Sequence, residues 1–130
     1  MNGAITGLYA ALTALLVVGL GARVARLRMR HRVGLGDGGI VELQRAIRVH
    51  GNLVEYAPLA LLLLLICELS AALPAAGLHA CGLAIIAGRV LHALGVSRSS
   101  QRTPGRFLGM GLTWLTLLAL AVALLIKALG

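Results

Sequence analysis

Residues 45–58 read Arg45-Ala-Ile-Arg48-Val-His50-Gly-Asn52-Leu-Val-Glu55-Tyr56-Ala-Pro58, and they open a long apolar run in which Leu59 to Cys67 is nearly all leucine. On a helix at 100° per residue, Arg48, Asn52 and Glu55 fall within about 60° of one another. Charged and polar groups at the edge of a membrane span are costly unless they face a partner, a cavity or a ligand. The stretch therefore predicts a polar helix face that the rest of the chain holds in place.

The surrounding composition decides the class. The chain has 130 residues, 59% hydrophobic and 12% charged. Soluble domains carry about 25% charged residues, and here the apolar residues come in blocks. The expectation is an all-α integral membrane protein, a four-transmembrane-helix bundle forming a single domain over residues 1–130. Its helices are expected over approximately 4–27, 41–72, 75–95 and 105–129. The first apolar block, AITGLYAALTALLVVGLGA, is about as long as the ~20 residues a spanning helix needs. It lacks a basic leader and a clean cleavage site, so it reads as a retained helix rather than a signal peptide. Pro58 should kink the second helix or loosen its hydrogen bonding. In the third block Ala76, Ala80, Ala84 and Gly88 recur every four residues and His92 continues the row, which predicts a helix–helix contact face.

The net charge of +8 does not point to nucleic acid. The arginines lie beside apolar blocks, where they set topology and meet anionic headgroups. One Trp, one Phe and two Tyr make no stacking platform for bases. Cys67 and Cys81 are isolated, with no disulfide framework and no zinc-type spacing, so no metal is expected. The first loop (Arg23 to Gly39) and the third loop (Arg98, Arg102, Arg106) hold nearly all the arginines. The positive-inside rule then puts both basic loops in the cytoplasm and both termini outside. Glu68 is expected to reach the opposite interface, and His79 has no evident partner. GLGDGG in the first loop lacks the strand and Lys-Ser/Thr of a phosphate loop; Asp37 contributes to a turn there.

This topology brings Arg48, Asn52, Glu55, Arg89 and His92 to one depth. Arginine forks suit carboxylates, and Glu55 suits an amino group or an arginine. The matching ligand is anionic with several hydrogen-bonding groups.

The run Glu42-x-x-Arg45-x-x-Arg48-x-His50-x-Asn52-x-x-Glu55-Tyr56-x-Pro58 resembles the second-helix signature of the MAPEG family, the membrane-associated proteins of eicosanoid and glutathione metabolism. The resemblance extends over essentially the whole chain. It implies a homotrimer with glutathione bound between subunits near the cytoplasmic face. It implies that Arg48, Asn52, Glu55 and Tyr56 line that site, that His50 reaches the ligand from the neighbouring subunit, and that Arg89 and His92 contribute from the third helix. An arginine at the end of the first helix, Arg28 or Arg26, would join them. The thiolate-stabilising arginine would be Arg106, in a Pro-x-Arg pattern, or Arg102. Val96 stands where enzymatic members often carry tyrosine. Glutathione would be a co-substrate, with a lipophilic electrophile entering from the membrane lipids of a bacterial inner membrane. The alternative is a non-catalytic oligomer that keeps the fold. A transporter is disfavoured, because the halves of the helices away from the basic loops lack a polar path.

From charge alone, Arg45 and Arg48 read equally as snorkelling anchors, Tyr56 as an interface aromatic, and Glu55 as half of a structural ion pair.

Overall fold

The computed structural model describes residues 2–130, and among these every regular element is an α-helix. The four helices are α1 (Ala4–His31), α2 (Val41–Leu69), α3 (Ala75–Arg98) and α4 (Pro104–Leu129). All four are long and apolar enough to cross a membrane. The surface fits that solvent: Leu15, Val18, Leu115, Leu118 and Ile126 are each more than 60% exposed. Such apolar surface is at home against lipid, which is as apolar as a leucine core. The chain is an all-α integral membrane protein.

The helix ends depart from the sequence expectations for local reasons. α1 continues past residue 27 to His31, and at 1.5 Å per residue its 28 residues reach about 42 Å. That exceeds the ~30 Å hydrocarbon layer, so the arginine-rich turns project beyond it. Arg32 ends the helix in the left-handed region (φ 55°), where its N–H and that of Val33 meet the carbonyl oxygens of Met29 and Arg28. α2 stops at Leu69, not near residue 72, because Ala71 turns left-handed (φ 52°) and Ala72 N–H closes onto Cys67 O at 3.0 Å. α3 runs on to Arg98, past the expected residue 95. α4 begins with Pro104 in its first turn, and the Thr103 side chain accepts from Arg106 N–H at 3.4 Å. Proline suits this position because its missing N–H would have no helical partner. α2 passes through Pro58 without interruption. In the first loop Asp37 Oδ1 accepts from Gly39 N–H at 2.9 Å, the expected turn.

The chain has two packed ends. At the basic end Leu27, Leu43 and Ala46 form a small core with Val24, Val33, Ile40 and Ile47. The larger core, toward the opposite end, is built from Tyr9, Ala60, Leu64, Cys67, Leu78, Ile85 and Leu120.

The tightest helix contact joins α3 and α4. A Cβ built on Gly109 would lie 2.5 Å from His92 N and 2.6 Å from Gly88 O. One on Gly88 would lie 2.7 Å from Thr113 Oγ1. Only glycine permits backbones this close. The alanine row of α3 is thus only partly an intrachain contact. Gly88 and His92 are buried against α4, whereas Ala76 and Ala80 are exposed. The row is used where α4 supplies Gly109 and Thr113 opposite it.

Two polar residues find partners that their spacing did not announce. Glu68 is 1% exposed and takes the N–H groups of Ile5 (3.1 Å) and Thr6 (2.8 Å). It caps the start of α1 instead of reaching an interface. Gly3, at the N-cap, has no side chain for the task; Asn2 Oδ1 takes the N–H of Ala4 at 3.3 Å. Orphan N–H groups at a helix start need such acceptors. His79 Nδ1 lies 3.0 Å from the Tyr9 hydroxyl, which also donates to His79 O at 3.1 Å.

Candidate functional site

Arg89 is the centre of the polar cluster. It is 4% exposed, and it projects from α3 between α2 and α4. Nη1 donates to Asn52 Oδ1 on α2. Nη2 donates to Thr113 Oγ1 and to Gly109 O (3.3 Å) on α4. The guanidinium carbon stands 5.3 Å from the centroid of the Tyr56 ring, a cation–π distance. Nε is buried without a hydrogen-bond partner. Among the described residues no carboxylate is within ion-pair distance of Arg89; the ion pair there is Arg48–Glu55. A buried cation held by neutral groups alone is expensive. It leaves a positive potential that suits an anion.

The polar face of α2 divides in two. Asn52, 5% exposed, turns inward to Arg89. Arg48 and Glu55 close on each other outside, through Nη1–Oε1 at 3.1 Å and Nη2–Oε2 at 3.0 Å, with side chains 55% and 48% exposed. Two helical turns apart, they lie within about 20° of each other on the helix, and the bidentate fork spans the gap.

A cavity of about 350 Å³ lies beside this pair, lined by Arg45, Arg48, Gly51, Val96, Ser100 and Arg106 among others. Arg45 Nε donates to Ser100 Oγ at 2.8 Å, which ties the third loop to α2. Arg106 also borders a second cavity of about 510 Å³, with Arg102, Phe107 and Met110. His92, 5% exposed, lies one turn along α3 from Arg89, with its backbone N facing Gly109 of α4. Arg48 and Arg106 thus share the wall of the first cavity, while the Glu55 carboxylate is taken up by Arg48.

Some expected residues stay apart from this cluster. His50 lies on the far side of α2, where a Cβ on Gly21 of α1 would be 3.4 Å from its Nε2. Arg28 is half-buried on α1, with Nη1 enclosed and unpaired. Arg102 lines the second cavity. Thr113 and Gly109, which hold Arg89, were missed in the sequence. Their signal is a Gly-x-x-x-Thr spacing on α4, matching the small residues of α3.

Residues 6–126 match the sequence pattern of the MAPEG family. The chain is 45% identical over 119 residues to the inner membrane protein YecN of Escherichia coli K12, across 92% of this chain and 88% of the relative. The YecN protein of Escherichia coli O6:H1 matches to the same extent. The matched stretch includes Arg48 on α2, Arg89 on α3 and Arg106 on α4, and the chain belongs to the MAPEG family.

Proposed function

We propose that this protein binds glutathione at the Arg48–Arg89–Arg106 cluster, as a homotrimer in a bacterial inner membrane, and uses its thiolate, as a glutathione transferase or peroxidase does, to conjugate or reduce lipophilic electrophiles. The supporting observation is a buried Arg89 held by neutral groups alone, behind the outer Arg48–Glu55 pair, with Arg48 and Arg106 both on the wall of a cavity of about 350 Å³. A ligand with two carboxylates and one amine complements that set. Arginine forks take the carboxylates, Glu55 takes the amine, and Asn52 keeps its amide N–H groups free once Oδ1 has accepted from Arg89. In this reading the basic loops face the cytoplasm and both termini lie outside. His50 and Arg28 act from the neighbouring subunit; for His50 this suits its place against Gly21 of α1. Similarity to an inner membrane protein supports the location.

Glutathione supplies the thiol. Free thiols have a pKa near ~8.5, so most are protonated at neutral pH. A cation beside the sulfur favours the reactive thiolate, about tenfold for every 1.4 kcal/mol of added attraction. Arg106, on the cavity wall with Arg48, is the residue for that role; Arg102 is the second candidate. The chain's other contributions are orientation and positive potential. The sulfur forms a bond to the electrophilic carbon, the leaving group departs with its electron pair, and the thiol proton passes to solvent.

The test is glutathione binding to the detergent-purified protein, with Arg48→Ala and Asn52→Ala alongside. Saturable binding that both substitutions weaken is expected. Equal and negligible affinity in all three proteins rejects the proposal. Val96 favours a second reading, a binding protein without catalysis, because it puts no hydroxyl where enzymatic relatives often have tyrosine. Binding without turnover of chlorodinitrobenzene and a panel of lipid peroxides would support that reading.

A further inference from the structure

Next to Arg89, a cleft of about 300 Å³ runs between α1, α2 and α3. Its walls include Leu16, Leu20, Leu53, Val90 and Leu94, and its rim carries Arg23 and Ser97. Arg89 also lines it, with its terminal nitrogens engaged by Asn52, Gly109 and Thr113. Both α1 and α3 run toward the basic end. The seven-residue steps from Leu16 to Arg23 and from Val90 to Ser97 each cover about 10 Å. The cleft is therefore a short apolar slot with its cation at the end nearest the basic loops.

Arg23 Nη1 donates to Ser97 Oγ at 2.8 Å. Among the described residues no carboxylate is within ion-pair distance of Arg23. A guanidinium has five N–H donors, and this one commits a single donor to Ser97. The serine hydroxyl, having accepted from Arg23, still has its own proton to donate. Together they offer a two-point match to the two oxygens of a carboxylate. The volume lies at the small end of ligand pockets, with room for one hydrocarbon chain and not two.

We infer that this cleft binds a medium-chain carboxylate, with its head on Arg23 and Ser97 and its tail along α1 and α3. The occupant is an anionic single-chain amphiphile. A neutral chain of a bilayer phospholipid would leave Arg23 unpaired, and a second protein helix is too wide for the slot. The cleft shares Arg89 with the proposed glutathione cluster, but its head group residues Arg23 and Ser97 lie outside that cluster, and its test contains no glutathione.

The experiment uses the full chain in nanodiscs of neutral phospholipid and a photoreactive analogue of decanoate, with labelled peptides mapped by mass spectrometry. Labelling within residues 16–23 and 90–97 is expected, displaced by decanoate and not by decanol. Arg23→Gln should weaken displacement by about tenfold, the effect of one charge-assisted contact. Arg23→Lys should retain part of it. Ala93→Phe, which places a ring in the slot and leaves Arg23 intact, should abolish labelling. Equal competition by decanol, labelling spread over the exposed face of α4, or unchanged affinity in Arg23→Gln would each overturn the inference. Should Arg23→Gln fail to fold, the decanol comparison and Ala93→Phe decide it.

Discussion

Gly109→Ala tests how closely α3 and α4 must approach for the cluster to form. The added methyl would stand 2.5 Å from His92 N and 2.6 Å from Gly88 O, against an ordinary contact of 3.4 Å and above. Both obstacles are helix backbone, so no side-chain rotation relieves them. The helices would have to part by about 0.9 Å, the difference between 2.5 and 3.4 Å. A gap of that size forfeits a quarter to a half of each dispersion contact across the interface, and overpacking typically costs about 1–3 kcal/mol. The gain in helix propensity from glycine to alanine is about 1 kcal/mol. The net expectation is a loss of up to about 2 kcal/mol. Gly111 supplies the control: it lies in the same helix with nothing within 4 Å of a built Cβ, so Gly111→Ala should leave stability unchanged or raise it by up to about 1 kcal/mol. The assay is denaturant unfolding in detergent, followed by the fluorescence of the single Trp114 on α4. The two substitutions should move the midpoint in opposite directions, or one downward and the other not at all. If Gly109→Ala matched wild type, or if both fell equally, the close approach of α3 and α4 would be wrong.

Other substitutions probe separate links. Glu68→Gln should lower stability by about 2 kcal/mol, since it replaces charge-assisted acceptance from Ile5 and Thr6, and should speed hydrogen exchange at those two amides; unchanged exchange would refute the cap. Ala71→Gly should raise the unfolding midpoint by the equivalent of about 1 kcal/mol, because the turn holds alanine in the left-handed region; a lower midpoint would count against that geometry. Arg106→Ala should leave glutathione affinity within a few-fold of wild type yet move thiolate formation, read by ultraviolet absorbance of bound ligand, to a pH higher by about 1. An unmoved profile would remove Arg106 from its proposed role.

The membrane helices were legible because length and apolar blocks act segment by segment. The MAPEG signature was legible for a similar reason: Arg48, Asn52, Glu55 and Tyr56 are close in sequence and share one helix. What sequence spacing does not carry is the rotation of one helix against another. On α2 alone, Asn52 looks like a companion of Arg48 and Glu55. The buried Arg89 of α3 draws it inward and leaves the other two to pair. The role of Glu68 was hidden for the same reason, since the N–H groups that need it lie at the start of a helix more than sixty residues away. The α3 row of small residues was visible, but its extent depends on where α4 offers Gly109 and Thr113. His79 had no partner in sequence because Tyr9 lies on α1, seventy residues earlier.

The two arginine contacts differ in what a ligand can change. The Arg48–Glu55 pair is about half exposed, and pairs of that kind contribute only about 0–1 kcal/mol. A ligand carrying both a carboxylate and an amine could replace each partner's contact while sacrificing little. Arg89 is different, because Asn52, Thr113 and Gly109 already fix its guanidinium in a dry interior. Removing one of these partners strands a buried polar group, which costs about 1–3 kcal/mol. The cluster therefore combines an exchangeable outer pair with a fixed inner cation. This arrangement separates two effects of mutation. Arg48→Ala and Glu55→Ala should weaken glutathione binding with little change in the unfolding midpoint. Arg89→Leu should lower both together, because the residue that sets the inner potential also joins α2 to α4. Finding that Arg89→Leu unfolds like wild type, while still losing the ligand, would make Arg89 a binding residue without a structural role and break this division.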